Sequence, residues 1–186
     1  MTERSTPSSE SSFRHARETH ARCFLIDEWI TFSHSNDDGS SWYKHHDNFL
    51  AYGGHKSNFG GHNKFSYNNI NVHAKVYQDG ACLRVNAQNL GNYTDGYWNC
   101  TCTQDKDDLV AYTFKYCDAK NLSGSQLPIV HDNKIFNPSG KMTVNCNGKT
   151  ITEDELQAAG RDKGTVVGKT PPNEQIITWG RLTLGL

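Results

Sequence analysis

Residues 36–64 hold most of the side chains in this chain that could take part in catalysis. Asp37 and Asp38 lie near its start, and Gly-Gly-His occurs twice, ending at His55 and at His62. Carboxylates that converge in a turn repel each other, so one pKa rises and the pair can supply both an acid and a base. Imidazoles exchange protons near neutral pH, and glycines before them let the backbone bend sharply. The predicted catalytic residues are Asp37, Asp38, His55 and His62.

The aspartate pair has three interpretations. Paired carboxyl groups carry out glycoside hydrolysis. Two carboxylates also suit Ca²⁺, which could hold an acidic sugar, so Asp37 and Asp38 are candidate metal ligands and Ca²⁺ is the candidate cofactor. The third interpretation is an Asp-Asp-Gly turn capped by its own side chains. No HExxH or Cys-x₂-Cys spacing indicates a transition-metal site.

Aromatic and basic side chains alternate with these polar groups. Sugars pack their apolar ring faces on aromatic residues while their hydroxyls take hydrogen bonds. A lyase also needs a base and a cation that neutralises a uronate carboxylate, and lysines could supply both. The alternative is that the aromatic residues belong to the core and that each histidine lies in a turn or on the surface. The predicted substrate-binding residues are Trp42, Tyr43, Lys44, His45, Lys56 and Lys64.

A weak repeat indicates the scaffold that would position these residues. A short alternating segment follows Asn48, Asn69, Asn99 and Asn133, which are 21, 30 and 34 residues apart. In a parallel β-helix each coil stacks short strands on the coil before it, and alternate side chains point into a narrow core. An Asn at each tight bend can then stack on the next, and the unequal spacing reflects loop insertions. The alternative is a β-sandwich with Asn in its turns.

The two ends of the chain differ in character from the repeat. The N-terminal residues are polar and aperiodic. Near the other end, Thr152 and Glu155 form a capping box that begins a short helix, which Gly160 ends. A second, amphipathic helix is expected over about 173–184, and such a helix at a solenoid end can cover the last coil. The predicted organisation is a disordered leader over 1–22, β-helix coils over 23–150 and a helical cap over 151–186.

Composition bears on partners and location. The net charge is −1, without a basic run or a long apolar stretch, so we expect no nucleic-acid partner and no membrane partner. The even count of six cysteines fits disulfides, and sequons begin at Asn92, Asn99 and Asn121. No signal peptide is visible in residues 1–21. We nevertheless expect a secreted or extracellular protein, because the cysteines and sequons favour that environment.

Several segments resemble proteins known as right-handed β-helix domain proteins. The resemblance lies in residues 37–43, 47–49 and 52–64, and in the ending at 164–180, and it covers about residues 30–186. It implies membership of the pectate-lyase-like and polygalacturonase-like superfamily, which acts on polysaccharides. The aspartate pair matches that of polygalacturonases. Their Gly-His-Gly motif is half met by residues 61–63, and their Asn-Thr-Asp and Arg-Ile-Lys motifs are absent.

Together these observations predict an all-β fold, a short right-handed parallel β-helix with C-terminal capping helices. The predicted partner is an extracellular polysaccharide, including uronate-rich ones, and the predicted activity is that of a polysaccharide lyase or a glycoside hydrolase. The alternative is a non-catalytic carbohydrate-binding or structural β-helix protein, including a truncated fragment of a larger enzyme. The sequence leaves the sugar, the disulfide pairing and the oligomeric state open.

Overall fold

The computed structural model describes residues 16–19, 24–26, 31–34, 42–57, 64–74, 80–86, 95–122 and 127–186. Short strands dominate these ranges. In chain order the strands are β1 (Ala16–Thr19), β2 (Phe24–Ile26), β3 (Thr31–His34), β4 (Trp42–His46), β5 (Phe49–Ala51), β6 (Gly54–Ser57), β7 (Lys64–Tyr67), β8 (Ile70–Val72), β9 (Leu83–Val85), β10 (Gly96–Trp98), β11 (Thr101–Thr103), β12 (Tyr112–Phe114), β13 (Ile129–His131), β14 (Lys134–Asn137), β15 (Thr143–Cys146), β16 (Lys149–Thr152) and β17 (Val166–Lys169). The helices are α1 (Glu153–Ala158) and α2 (Asn173–Leu184).

Within the run from β1 to β15, each strand pairs with the strands that lie three places before and after it in the chain. Sheet A has the order β1-β4-β7-β10-β13, sheet B the order β17-β14-β11-β8-β5-β2, and sheet C the order β16-β15-β12-β9-β6-β3. These pairs are parallel, apart from the antiparallel hairpin of β15 and β16. Three consecutive strands therefore make one coil, as in a three-sided, β-helix-like solenoid. The predicted mostly-β, stacked-strand architecture is confirmed, and the hand of the coil stays a prediction.

The strand β1 falls within the range predicted to be a disordered leader. It pairs in parallel with β4, through Ala16 opposite Trp42 and the three residue pairs that follow. The remaining residues of that leader lie outside the described ranges, and the domain limits stay predictions.

Alternate strand residues point inward and form the core. Sheets A and C supply aromatic rings and sheets B and C supply aliphatic side chains, and the space is limited because a coil of three short strands encloses little volume. This narrow interior accounts for an apolar content of only 35%. The largest fully buried side chains include Leu50, Tyr97, Tyr112, Phe114 and Ile135.

Two disulfides join successive coils. Cys82, just before β9, pairs with Cys102 in β11, and Cys117, after β12, pairs with Cys146 in β15. Among the described cysteines Cys100 is the free one, and burial raises the pKa of its thiol to about 12. The sixth cysteine lies outside the described residues. Two disulfides fit an oxidising, extracellular environment.

The corner between sheets A and B contains an internal row of amides. Asn69 Oδ1 accepts from the Asn48 backbone N–H (3.1 Å) and from Asn48 Nδ2 (2.9 Å), and Asn69 Nδ2 donates to the His45 carbonyl (2.8 Å). Higher in the stack the Cys100 backbone N–H donates to Asn133 Oδ1 (3.0 Å). These side chains satisfy backbone groups that the bend would otherwise leave buried and unpaired.

The register of this row differs by one residue from the predicted repeat. Sheet B aligns Ile70 with Thr101 and Thr101 with Lys134, so the residue level with Asn69 is Cys100 rather than Asn99. Asn99 belongs to the neighbouring, exposed row. The prediction aligned the asparagines by type, whereas strand pairing fixes the alignment by backbone position.

The C-terminal helices form where they were expected. The Glu155 backbone N–H donates to Thr152 Oγ1 (3.2 Å), and the Thr152 backbone N–H donates to Glu155 Oε2 (2.7 Å), which completes the capping box of α1. Gly160 follows α1 with a φ of 80°. Leu156 on α1 is fully buried in the interior cluster and closes the C-terminal end of the core.

The longer helix α2 covers a side of the solenoid rather than its end. Ile176 packs with Phe49 and Val72 on the outer surface of sheet B, and Trp179 lies 5.9 Å from Phe136, between ring centroids. Sheet B has apolar residues on its outer as well as its inner surface, so it needs a cover. None of the described helices is long and apolar enough to cross a membrane.

Replacing Asn69 by Ala should lower the free energy of unfolding by about 2–4 kcal/mol. The change removes three hydrogen bonds, including those to the backbone N–H of Asn48 and the carbonyl of His45 in the preceding coil. Chemical denaturation gives the value. Asn99→Gly is the matched control, since Asn99 is exposed with a φ of 50° that glycine accepts, and it should cost less than about 1 kcal/mol. Equal losses of unfolding free energy in Asn69→Ala and Asn99→Gly would contradict a structural role for the internal row of amides.

Candidate functional site

The outer surface of sheet A carries a ladder of stacked rings. His46, Tyr67, Trp98 and His131 occupy equivalent positions of β4, β7, β10 and β13. Successive ring centroids are 4.8, 5.2 and 5.7 Å apart, and the planes differ by 8° or less. These distances are close to the spacing of neighbouring strands, so the rings stack along the solenoid axis and turn their edges outward. We call these four residues the ring ladder.

A glycine makes room for the widest ring. A Cβ at Gly96 would lie 2.3 Å from Cζ3 of Trp98 and 3.2 Å from Cδ1 of Phe65. The indole therefore lies back over the β10 backbone, where a larger residue would displace it. This close approach keeps Trp98 parallel to its neighbours and makes the outer surface of sheet A continuous.

A row of polar turn residues borders the ring ladder. The next residue in each coil is Asp47, Asn68, Asn99 or Asp132, all exposed and all with φ between 50° and 57°. Asp and Asn tolerate this left-handed conformation better than most residues. The first three side chains are joined, since Asn68 Nδ2 donates to Asp47 Oδ1 (3.1 Å) and Asn99 Nδ2 donates to Asn68 Oδ1 (2.8 Å). We call these four residues the turn row.

The ring ladder ends in a groove that contains two basic residues. The groove has a volume of about 470 Å³ and is lined by Ile129, Val130, His131, Asp132, Gly160, Arg161, Lys163 and Gly164. Trp98 stacks on one face of the His131 ring, and no described ring stacks on the other. Asp132 Oδ2 lies 2.7 Å from His131 Nδ1, so the carboxylate charge of Asp132 is partly engaged. Arg161 and Lys163 give the groove a net positive charge. We call this the cationic groove.

The structure divides the predicted site residues between inside and outside. Lys44 lies on the outer surface of sheet A, opposite Phe65 of β7. His45 and His55 face the interior and are buried. Lys44 and its neighbour His45 therefore do not share a surface, and a ligand outside the solenoid does not reach His55.

The other predicted site residues lie outside the described ranges or are described by their backbone alone. Asp37, Asp38 and His62 lie outside the described residues, so their catalytic roles, and the calcium site at the two aspartates, stay predictions. Within the described ranges, no group of three or more His, Cys, Asp or Glu side chains could hold a metal ion. The structure describes only the backbone of Trp42, Tyr43, Lys56 and Lys64, which lie in β4, β6 and β7.

His55 is a buried, neutral histidine in the core. Its ring lies 5.3 Å from that of Tyr97 at a tilt of 60°. The pKa of His55 is lowered to about 3, chiefly by burial and also by the nearby His45, whereas the Asn71 side chain acts in the opposite direction. His55 is thus part of the packing of the interior at neutral pH.

Sequence reasoning did not single out Trp98, His131, Arg161 or Lys163. A signal for the ring ladder was present, because in each coil the ring immediately precedes the turn residue: His46-Asp47, Tyr67-Asn68, Trp98-Asn99 and His131-Asp132. The change of ring type from coil to coil hides this repeat. Lys163 holds the equivalent position in the next coil, where it pairs in parallel with His131, but its side chain is not a ring, and Arg161 follows α1 outside the repeat.

Comparison of the chain with protein-family models, with curated proteins and with solved structures finds no match. The resemblance to right-handed β-helix domain proteins therefore stays a prediction, and the surface described above is interpreted from its own chemistry.

The free energy of unfolding should fall as the pH is lowered, because of His55. In the unfolded chain a histidine binds a proton near pH 6.5, whereas His55 in the folded protein stays neutral down to about pH 3. Protonation therefore favours the unfolded chain, and from pH 7 to pH 5 His55 alone should cost about 2 kcal/mol. Denaturation of the protein and of His55→Leu at both pH values measures this, since the unmodified protein should lose that much more unfolding free energy than the variant. An unchanged difference would contradict a buried neutral His55.

Proposed function

We propose that this protein binds an acidic polysaccharide along the outer surface of sheet A. The observation that carries the proposal is the continuity of the ring ladder with the cationic groove. A surface that presents one ring and one polar turn residue per coil suits a ligand that is itself a repeating chain. Sugar rings meet aromatic side chains with their apolar C–H groups and polar side chains with their hydroxyls.

The cationic groove supports an acidic sugar in particular. Lys163 follows His131 in the stack, so a sugar bound in the groove would meet the His131 ring and the Lys163 side chain together. Lys163 is exposed and Arg161 is half-buried at this position. A uronate carboxylate would form charge-assisted contacts with them, and such contacts are about twice as strong as neutral hydrogen bonds.

The proposal includes the finer fold assignment. Stacked parallel sheets, short strands and coil-to-coil amide contacts support a right-handed parallel β-helix of the pectate-lyase-like kind. Two disulfides support an extracellular setting, where such polysaccharides occur.

Catalysis is the second candidate function, as a polysaccharide lyase or a glycoside hydrolase. The observation in its favour is chain order: Asp37 and Asp38 precede β4, His62 precedes β7, and these two strands are neighbours in sheet A. The candidate acid, base and calcium-binding groups therefore precede two neighbouring strands of sheet A in the sequence. The two candidate functions differ in whether the bound chain is cleaved.

Lys163→Gln should weaken the binding of oligogalacturonate about tenfold, because it removes one charge-assisted contact to a carboxylate. Isothermal titration calorimetry gives the affinity. The matched control is Lys149→Gln on the exposed β16, which removes the same charge away from the groove and should leave the affinity unchanged. Fully methyl-esterified oligomers should bind both variants alike. Equal affinity of Lys163→Gln and the unmodified protein for oligogalacturonate would refute the proposed contact.

Cleavage should be sought with pectin and alginate, with and without added Ca²⁺. Absorbance from unsaturated uronates would reveal a lyase, and new reducing ends without that absorbance would reveal a hydrolase. If either appears, Asp37→Asn with Asp38→Asn should abolish it while binding at the cationic groove persists. Binding without product under all these conditions would leave the non-catalytic function.

A further inference from the structure

We infer that the exposed face of α2 binds the same face of α2 in a second copy of this chain. Four of the seven large apolar side chains that are exposed in the described part of the chain lie within residues 177–186. A helix that covers a sheet needs one apolar face, and in α2 that face contains the buried Ile176 and Gly180. Further apolar side chains concentrated on so short a segment are typical of an interaction site.

The exposed face of α2 carries a stripe of two charged and two apolar residues. Glu174, Ile177, Arg181 and Leu184 are all exposed, and they are spaced by three, four and three residues. Residues seven apart differ by only about 20° around a helix axis, so these four lie on one face. The same spacing allows two helices to pack side by side with interdigitated side chains. We call these four residues the outer stripe.

The outer stripe is directed away from the solenoid. Ile176 packs with Phe49 and Val72 of sheet B. The next residue, Ile177, is 60% exposed, and Leu184 at the end of the stripe is 44% exposed. A second helix can therefore cover the outer stripe while α2 stays packed on sheet B.

The charges of the outer stripe complement the same stripe in the reverse direction. Glu174 lies in the first turn of α2 and Arg181 in the last turn. Their separation exceeds the three or four residues that allow an ion pair within one helix. In an antiparallel pair of α2 helices related by a two-fold axis, each Glu174 lies beside the partner's Arg181. A parallel pair would bring like charges together, so the charges select the antiparallel arrangement.

The antiparallel arrangement also covers the apolar residues of the outer stripe. With the two-fold axis level with Trp179, each Ile177 packs beside the partner's Leu184 and the aliphatic part of the partner's Arg181. The 12 residues of α2 make a helix about 18 Å long, which is short for a permanent interface. We expect a dissociation constant of about 10–100 µM.

A dimer formed in this way carries two polysaccharide-binding surfaces. The contact involves α2 and leaves out the ring ladder and the cationic groove. Two linked surfaces bind one long polysaccharide more tightly than a single surface does, because the second contact is intramolecular. This consequence rests on the proposed function, whereas dimerisation itself requires no ligand.

Sedimentation velocity of the whole chain without ligand, from about 1 to about 500 µM, tests the inference. The sedimentation coefficient should rise with concentration as the monomer converts to a dimer. Ile177→Lys should raise the dissociation constant at least about tenfold, because it places two unpaired charges in the contact. The matched control is Leu182→Lys, at a residue 68% exposed on the same helix but outside the outer stripe, and it should leave the dissociation constant unchanged. Circular dichroism checks that both variants fold.

Charge reversal tests the antiparallel arrangement. Glu174→Arg makes the charges of the outer stripe all basic, and Arg181→Glu makes them all acidic. Each variant alone should raise the dissociation constant about tenfold, because two attractive pairs become repulsive. An equimolar mixture of the two variants should form a mixed dimer as tight as the unmodified dimer, since both ion pairs return.

The outcomes separate this inference from the proposed function. A chain that remains monomeric at about 500 µM would overturn the inference, and this is the result expected if another segment of the chain covers the outer stripe. Dimerisation that Ile177→Lys leaves unchanged, or single charge reversals that dimerise as well as the unmodified protein, would also overturn it. If oligogalacturonate fails to bind while the dimer forms as described, the polysaccharide proposal fails and the dimer stands.

Discussion

The bend between sheets A and B is the constraint on which the rest of this structure depends. At every coil one residue must adopt a left-handed conformation, and the next must satisfy backbone groups turned into a narrow, dry interior. Asp or Asn meets the first requirement and a buried Asn meets the second, as at Asn68 and Asn69. An unpaired buried amide costs about 1–3 kcal/mol. This pair of positions therefore fixes the register of each coil on the next more strongly than the few apolar contacts of the coil could. The stacked rings of sheet A are a consequence of that register.

The internal row of amides tolerates another residue type where that residue can take part in the hydrogen bonds. Cys100 takes the place of an Asn in one coil, and its thiol lies 3.3 Å from the Trp98 carbonyl as a weak donor. In the last coil Thr165 Oγ1 accepts from the Asn133 backbone N–H (3.0 Å) and donates to the buried Asp162. Burial raises the pKa of Asp162, against the hydrogen bonds from Thr165, Asn133 and Tyr112, which lower it. The row thus ends in a polar cluster that closes the stack without an apolar cap at this corner.

Much of this architecture could be predicted from the sequence, because its signals are local. The Asn repeat predicted the stacked coils to within one residue, and the capping box and Pro171-Pro172 predicted where the two helices begin. The location of α2 could not be predicted, since an amphipathic pattern shows that one face is buried but not against which surface. The inward direction of His55 could not be predicted either. Side chains alternate in a strand, so a shift of one residue in the start of β6 would have turned it outward.

The helix α2 changes what the solenoid can recognise. Without it, both sides of the turn row would be open sheet surfaces, and ligand binding would depend on repeated, shallow contacts. Trp179 and Thr183 form one wall of a shallow pocket beside Asp47, so the same turn residues border an extended surface on one side and this pocket on the other. The charged residues differ between the two sides, with Arg161 and Lys163 at the end of the extended surface and Asp47 in the pocket. A repeating coil cannot create such an asymmetry by itself, because its equivalent positions present similar chemistry. The non-repeating C-terminal segment supplies it.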